Sequence, residues 1–272
     1  MKRLNPFAKK PPLVSVIRLH GTIGATRPGA TGLSDAALAP LIERAFRRGR
    51  PAAVALVINS PGGSPVQSSL IAARIRRLSE ETGVATHAFV EDIAASGGYW
   101  LACAADEIWA DATSIVGSVG VISAGFGFAG LIDRHGIERR VHTAGGAKSF
   151  MDPFRPEKPE DVERLHKLLE PMHLTFKNWI TSRRAARLTT DRDLFTGDVW
   201  TGVEAADLGL IDGIAHLVPK LKSLYGNKVR MLAYGQRRPW LRRFGVQALA
   251  EGALTSALDL AEERALWARY GL

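Results

Sequence analysis

Two apolar runs of strand length, residues 52–58 and 84–90, show little polar alternation, and each leads into a serine-glycine turn. The first is followed by Asn59-Ser-Pro-Gly-Gly-Ser64, the second by Glu91-Asp-Ile-Ala-Ala-Ser-Gly-Gly-Tyr-Trp100. A strand that is apolar on both faces has no solvent side, so it belongs in a parallel sheet with helices over both faces. Loops at the carboxyl ends of such strands are where sites are built. Ser96 stands at a strand-to-helix junction before Gly97 and Gly98, the position in which a hydroxyl is held exposed with a helix N-terminus behind it. The same residues also read as a plain turn, with Ser96 as an N-cap.

The flanking sequence supports an α/β chain. Residues 13–19 alternate and are β-branched, as a strand is. Residues 34–48 read as helix ending at Gly49, with Pro40 placing the regular part from about Ala39. Residues 65–81 read as a helix with Ile71, Ile75 and Leu78 inward and Arg74, Arg76 and Arg77 toward solvent. The strand over 84–90 is followed by a short helix over 99–105, and a further short strand covers 108–110. Strand and turn are expected over 114–122, helix over 126–135, strand over 137–142 and a glycine-rich loop over 145–150. A long amphipathic helix runs from Pro159 toward Arg187. Residues 196–214 read as turn, short helix, turn, and 228–234 as a late strand. Residues 112–132 hold no charge and are long enough to span a bilayer, but five glycines and four hydroxyl residues make them buried core instead.

The chain has 272 residues and a net charge of +9. Residues 1–12 carry +4 and residues 219–272 carry +6, leaving a near-neutral body at −1. Such ends suit an anionic membrane surface, or are solvated tails. No basic groove or motif in the body points to nucleic acid. A single cysteine, Cys103, excludes an internal disulfide. No signal peptide is read in the proline-interrupted N-terminus. The organisation expected is a basic arm over 1–12, a catalytic domain over 13–235 and a basic, amphipathic helical tail over 236–272.

Free N–H groups from both glycine turns, if they converge, form an oxyanion hole, and a serine beside it needs a base. Five motifs in order extend this: Ser-Pro-Gly-Gly (60–63), Ala-Ala-Ser-Gly-Gly-Tyr (94–99), Ile-Val-Gly-Ser-Val-Gly-Val (115–121), Gly-Ala-Lys-Ser (146–149) and Thr-Gly…Ala…Gly-Leu-Ile-Asp (201–212). Over about residues 13–216 the chain resembles the bacterial signal peptide peptidase A family, including its SohB-like members. The resemblance implies a ClpP/crotonase-like α/β fold, with a mainly parallel sheet, repeated β-β-α/βα units and flanking helices. It implies a Ser–Lys dyad: Ser96 as nucleophile, Lys148 as general base and Ser118 orienting the lysine ammonium. Gly62 or Gly63 and Gly97 match the oxyanion-hole region. A lysine with an ordinary pKa of roughly 10.4 serves as a base only when desolvated. The family also implies extended peptide substrates such as signal-peptide remnants.

Other readings compete. Seven histidines are present, and His135 or His142 is the alternative base in a Ser-His-Asp arrangement. No His-Glu-x-x-His spacing supports a metal, and no cofactor is expected. Glu91 and Asp92 would suit a crotonase-like acyl-coenzyme A hydratase or isomerase, or they pair with an arginine or cap a turn. A non-catalytic scaffold is the third reading, against which stand the intact Ser96, Ser118 and Lys148. Bacterial membrane members of the family usually carry an N-terminal transmembrane anchor that is not read here, so a cytoplasmic protein is expected, its basic ends open to peripheral membrane contact. The short chain further suggests a homo-oligomer. The tail beginning at Trp240 either lies on a membrane or docks on a neighbouring subunit.

Overall fold

The computed structural model describes residues 11–24, 32–235 and 264–272. Most of the basic arm and most of the helical tail expected from sequence therefore lie outside the described residues. The chain divides into two compact units, Met1–Val119 with Trp179–Leu272, and Gly120–Asn178.

The first unit is built on an eight-stranded, mainly parallel sheet, the α/β architecture expected. In chain order it holds β1 (Leu13–His20), α1 (Asp35–Arg47), β2 (Ala53–Ser60), α2 (Pro65–Thr82), β3 (Ala85–Ala95), α3 (Gly97–Ala102), β4 (Glu107–Ala110) and β5 (Ile115–Gly117). The second unit contributes α4 (Ala129–Arg134) and most of α5 (Pro159–Arg184). The first unit then resumes with β6 (Val199–Thr201), α6 (Gly202–Asp207), β7 (Gly213–Ile214), α7 (Leu217–Tyr225) and β8 (Arg230–Tyr234). The sheet order is β6-β5-β3-β2-β1-β8, with β4 joining β3 to β7, and only β5–β6 is antiparallel.

The central strand β2 is buried at every position but Asn59. One face of the sheet packs Val14, Val16, Ala55, Val57 and Phe89 against Leu221 and Val229. Leu38 and Ile42 of α1 and Ile71, Ile75 and Leu78 of α2 are fully buried, each contributing about 1.5–3 kcal/mol of apolar burial. Ser34 caps α1 and Ser64 caps α2 through their side-chain oxygens, and Pro65 occupies the first turn of α2, where its missing N–H costs nothing.

Several elements differ from expectation. Helix α1 begins at Asp35 and carries Pro40 inside it, forfeiting only the bond to the Ala36 carbonyl. Residues 137–142 are not a strand: they belong to the second unit and are mostly exposed. Residues 112–132 are core only as far as Val119; beyond it Ile122 and Phe126 are exposed, at 67% and 82%. The second unit instead pairs Phe128 with Phe126 and Phe154, and sets Arg139 over the Phe154 ring. Helix α7, which Pro219 disguises in the sequence, docks through Tyr225 to His87 Nε2 (2.7 Å), while Glu107 holds His87 Nδ1 at 3.0 Å.

All three arginines placed toward solvent tie α2 to other elements, Arg77 through Glu43 of α1 at 3.6 Å. Arg74 grips Asp35 of α1 with two 2.7 Å bonds, and Arg76 reaches Asp106 at 2.7 Å. Deeper still, Arg184 of α5 donates to the Gly209 carbonyl and to Asp212, at 2.6 Å from the carboxylate. Asp212 also accepts the Ile108 N–H of β4 at 2.7 Å. This network explains why Gly-Leu-Ile-Asp matters: its aspartate anchors α5 to the sheet. Cys103, at the end of α3, is fully buried, and burial pushes its thiol up to about 12 although Arg184 opposes the shift.

Removing one partner of a buried ion pair strands the other charge. Arg184→Met is therefore expected to destabilise the fold by about 3 kcal/mol or more, read as a lowered urea midpoint with unchanged slope. Arg47→Met, whose Glu81 partner is exposed, is expected to change stability by less than about 1 kcal/mol.

Candidate functional site

Strand β3 outruns the sequence expectation because it passes through a bulge. Ile58 of β2 pairs with Val90, but the next pair is Ser60 with Ala94. Two extra residues of β3, Glu91 and Asp92, are thus accommodated, and at that point β3 changes its outer neighbour from β4 to β5. Ser114 stabilises the bulge by donating to the Glu91 carbonyl oxygen. The sequence signal, two adjacent carboxylates ending an apolar run, looked like a strand terminus. Their side chains are exposed: Glu91 meets His20 at 3.0 Å and Arg18 at 3.9 Å, and Asp92 accepts from Asn59.

The bulge brings the two glycine turns together. Ser96 follows β3 at φ 52° and ψ −120°, a left-handed conformation that a serine adopts only under constraint. Such strain on a strand-to-helix turn is how a nucleophilic serine is presented in unrelated hydrolases. The Ser96 N–H is fixed by the Gly117 carbonyl at 2.8 Å, and its carbonyl accepts from Trp100 at 3.0 Å as the first bond of α3. Ser96 itself is half-buried amid a fully buried Gly97–Ala102 helix.

Gly62 lies directly against this turn. A Cβ there would stand 2.8 Å from Ser96 Cβ and 2.9 Å from both the Ala95 carbonyl oxygen and the Gly97 nitrogen. A Cβ on Gly98 would in turn run into the Ser60 carbonyl. The Gly62 N–H already donates to Ser60 Oγ at 3.2 Å, and its carbonyl accepts from Ile23. The Ser64 N–H is used on the Ile23 carbonyl, and the Gly63 N–H takes part in neither bond. Gly97 opens α3, so its N–H has no acceptor within the helix. The sequence-predicted Ser96, Gly62, Gly63 and Gly97 are therefore neighbours at one end of the sheet.

Ser118 joins them from β5. Ala95 pairs with Gly117, and Ser118 follows it, buried, at φ 54°, with its N–H on the Asp198 carbonyl at 2.6 Å. Its Oγ accepts a hydrogen bond from Tyr270 Oη at 3.2 Å, a partner 152 residues away that no local pattern indicates. Lys148 belongs to the second unit, exposed in the turns that follow Gly145, with its N–H on the Gly145 carbonyl. His135 and His142 are exposed in that unit as well. Among the described residues no group of His, Cys, Asp and Glu could hold a metal ion.

If Gly62 is required for contact rather than for its dihedral alone, position matters more than φ. Gly83 also has positive φ but open space around it. Gly83→Ala should cost about 1 kcal/mol, and Gly62→Ala about 2 kcal/mol beyond that from overpacking, measured by urea unfolding.

Comparison with known proteins identifies this architecture. The description "Peptidase family S49" matches residues 79–225. The chain is 47% identical over its whole length to the Brucella melitensis protein named "Na(+)/H(+) antiporter NhaA", covering 39% of that protein. It is 32% identical over 75% of its length to "Serine protease SPPA, chloroplastic" of Arabidopsis thaliana, covering 31% of it. It is 29% identical over 72% of its length to "Probable protease SohB" of Haemophilus influenzae, covering 55% of it. The chain thus spans between about a third and about half of these relatives. The matched region contains the strained serine with Gly97, Ser118 and Lys148, and on that match the chain belongs to Peptidase family S49.

Proposed function

We propose that this chain is a serine endopeptidase in which Ser96 is the nucleophile and Lys148 the general base, acting on extended peptides such as signal-peptide remnants. The observation that carries the reading is Ser96 at φ 52°, ψ −120°, pressed against the Gly62 turn. Gly63 and Gly97 supply the oxyanion-hole N–H groups, since the Gly62 N–H is committed to Ser60. Ser96 Oγ bonds the peptide carbonyl carbon while its proton passes to the neutral Lys148 amine. The carbonyl electron pair moves to oxygen, where the two N–H groups stabilise it. Collapse breaks the C–N bond, and the leaving amine takes the proton back from Lys148. Water, deprotonated by the same lysine, then attacks the ester carbon; the C–Oγ bond breaks, the acid product leaves and the lysine returns the proton to Ser96 Oγ.

The demand on Lys148 is desolvation. In the single chain it is exposed, so the reading requires that bound peptide or a second copy of the chain cover it. A homo-oligomer is accordingly part of the proposal, and peripheral membrane contact through the basic ends goes with a membrane-derived substrate. Antiport, the activity in the name of the Brucella relatives, needs membrane-spanning segments. No described helix of this chain is long and apolar enough to cross a membrane, and the family match falls on a peptidase region instead.

A peptide library cut by the purified chain tests the assignment. Ser96→Ala and Lys148→Ala are each expected to lower kcat/KM by about 1,000-fold or more, and His142→Ala to leave it within about twofold of the unaltered chain. Cleavage retained in Lys148→Ala would remove the lysine from the mechanism and reopen a histidine base. Light scattering checks the assembly, for which a mass above the 29.4 kDa of one chain is expected.

A further inference from the structure

The bulge in β3 sets three residues, Glu91, Asp92 and Ile93, against the single residue Asn59 of β2. A bulge leaves its extra residues outside the ladder, so backbone bonds alone hold its register weakly. Side chains hold it here. Besides the Ser114 bond to the Glu91 carbonyl, Asn59 Nδ2 donates to Asp92 Oδ2 at 2.5 Å. Among the described residues that is the one bond of the Asn59 side chain, since its buried Oδ1 has no partner. Glu91 is held from β1, by His20 at 3.0 Å and Arg18 at 3.9 Å. His20 is the register partner of Asn59, and the Asn59 carbonyl accepts the Gly21 N–H at 2.9 Å. Three strand ends are thus tied at one level, and both turns of the serine site start from it. Asn59 stands four residues before Gly63, and Asp92 four residues before Ser96. Beyond that level Ser60 pairs with Ala94, and Ile93 to Ala95 run along β5, a regular ladder that carries the level of the bulge to Ser96.

We propose that the Asn59–Asp92 bond is a register lock for the oxyanion hole, with both side chains acting as positioning residues through the turns they precede. The expected effect on activity rests on the peptidase reading above. In that reading the Gly63 N–H from the β2 turn and the Gly97 N–H from the β3 turn converge on one substrate oxygen. Their convergence depends on how far β3 has advanced when it passes the end of β2. A slip of one residue moves a strand by about 3.3 Å and turns its side chains to the opposite face. A misplacement of about 1 Å is already enough to slow a reaction about 100-fold. The contact at Gly62 leaves no slack, since a Cβ there would stand 2.8 Å from Ser96 Cβ. The residue types suit the task. A hydrogen bond to a carboxylate is shorter and about twice as strong as a neutral one. It is also directional, so it resists the sliding that an apolar contact at the same place would allow.

Asn59→Ala in the full chain removes the donor. It is expected to lower kcat about 30-fold with KM within about twofold, because the lock places groups that act in the transition state. Asp92→Asn keeps an acceptor and should hold kcat within about threefold. Asn59→Asp alone sets two carboxylates face to face and should match Asn59→Ala. Combined with Asp92→Asn, it restores one donor and one acceptor in exchanged places, and kcat should recover to within about fivefold of the unaltered chain. A bond that only stabilises the fold would lower the urea midpoint of Asn59→Ala and leave kcat alone, and that result overturns the lock. A loss carried by KM, or one the exchanged pair does not restore, overturns it as well. If the unaltered chain cleaves no peptide, the peptidase reading fails, and hydrogen exchange read by mass spectrometry decides the lock by itself. Asn59→Ala should then exchange about tenfold faster over residues 60–64 and 93–99 with α1 unchanged, and equal rates in those two segments overturn it.

Discussion

Gly62 against the Ser96–Gly97 backbone is the contact on which the rest of this architecture depends. Two turns, from neighbouring strands, meet with no side chain between them. For that to happen β3 must deliver Ser96 level with the end of β2, and the bulge at Glu91 and Asp92 makes up the difference in length. The same meeting holds Ser96 in a conformation that costs on the order of 1–3 kcal/mol. The cost is borne by the surroundings: the Gly117 carbonyl on one side, the buried α3 on the other, and beneath them a central strand buried everywhere but at the half-buried Asn59. A strained residue persists only when its neighbours over-determine it, and here they come from three strands and a helix.

Much of the scaffold was legible in the sequence because its causes are local. Unalternating apolar runs mark strands buried on both faces, and Ser34, Ser64 and Pro65 mark helix starts. What escaped was set by tertiary context. The continuation of β3 beyond Val90 depends on partners in β2 and β5. Helix α7 is held by Tyr225 on His87 and by Lys220 over the Trp109 ring, contacts invisible to periodicity. The apolar stretch beyond Val119 is rich enough to suggest core, yet it enters a second unit and exposes Ile122 and Phe126.

The site divides in the same way. Ser96, Gly97, Gly62 and Gly63 could be read from two turns after two strands, because parallel topology places such turns at one end of a sheet. Ser118 and Lys148 rested on motif resemblance alone. The structure seats Ser118 beside Ser96 through β5, while Lys148 occupies an exposed turn of the other unit. Tyr270 had no signal at all, since nothing local marks a tyrosine as the partner of a serine 152 residues earlier. Asp212 is an instructive middle case. Its motif pointed to importance, and its bonds to Arg184 and Ile108 identify that importance as structural.

The burial of Cys103 carries a consequence for experiment. It is the chain's lone thiol, it lies at the foot of the helix that Ser96 begins, and burial lifts it to about 12. At neutral pH almost none of it is thiolate, the form that reacts. An alkylating reagent that marks this chain must therefore wait for α3 to leave its packed position. The speed of that marking is a clock for excursions of the helix behind the nucleophile, with no residue changed.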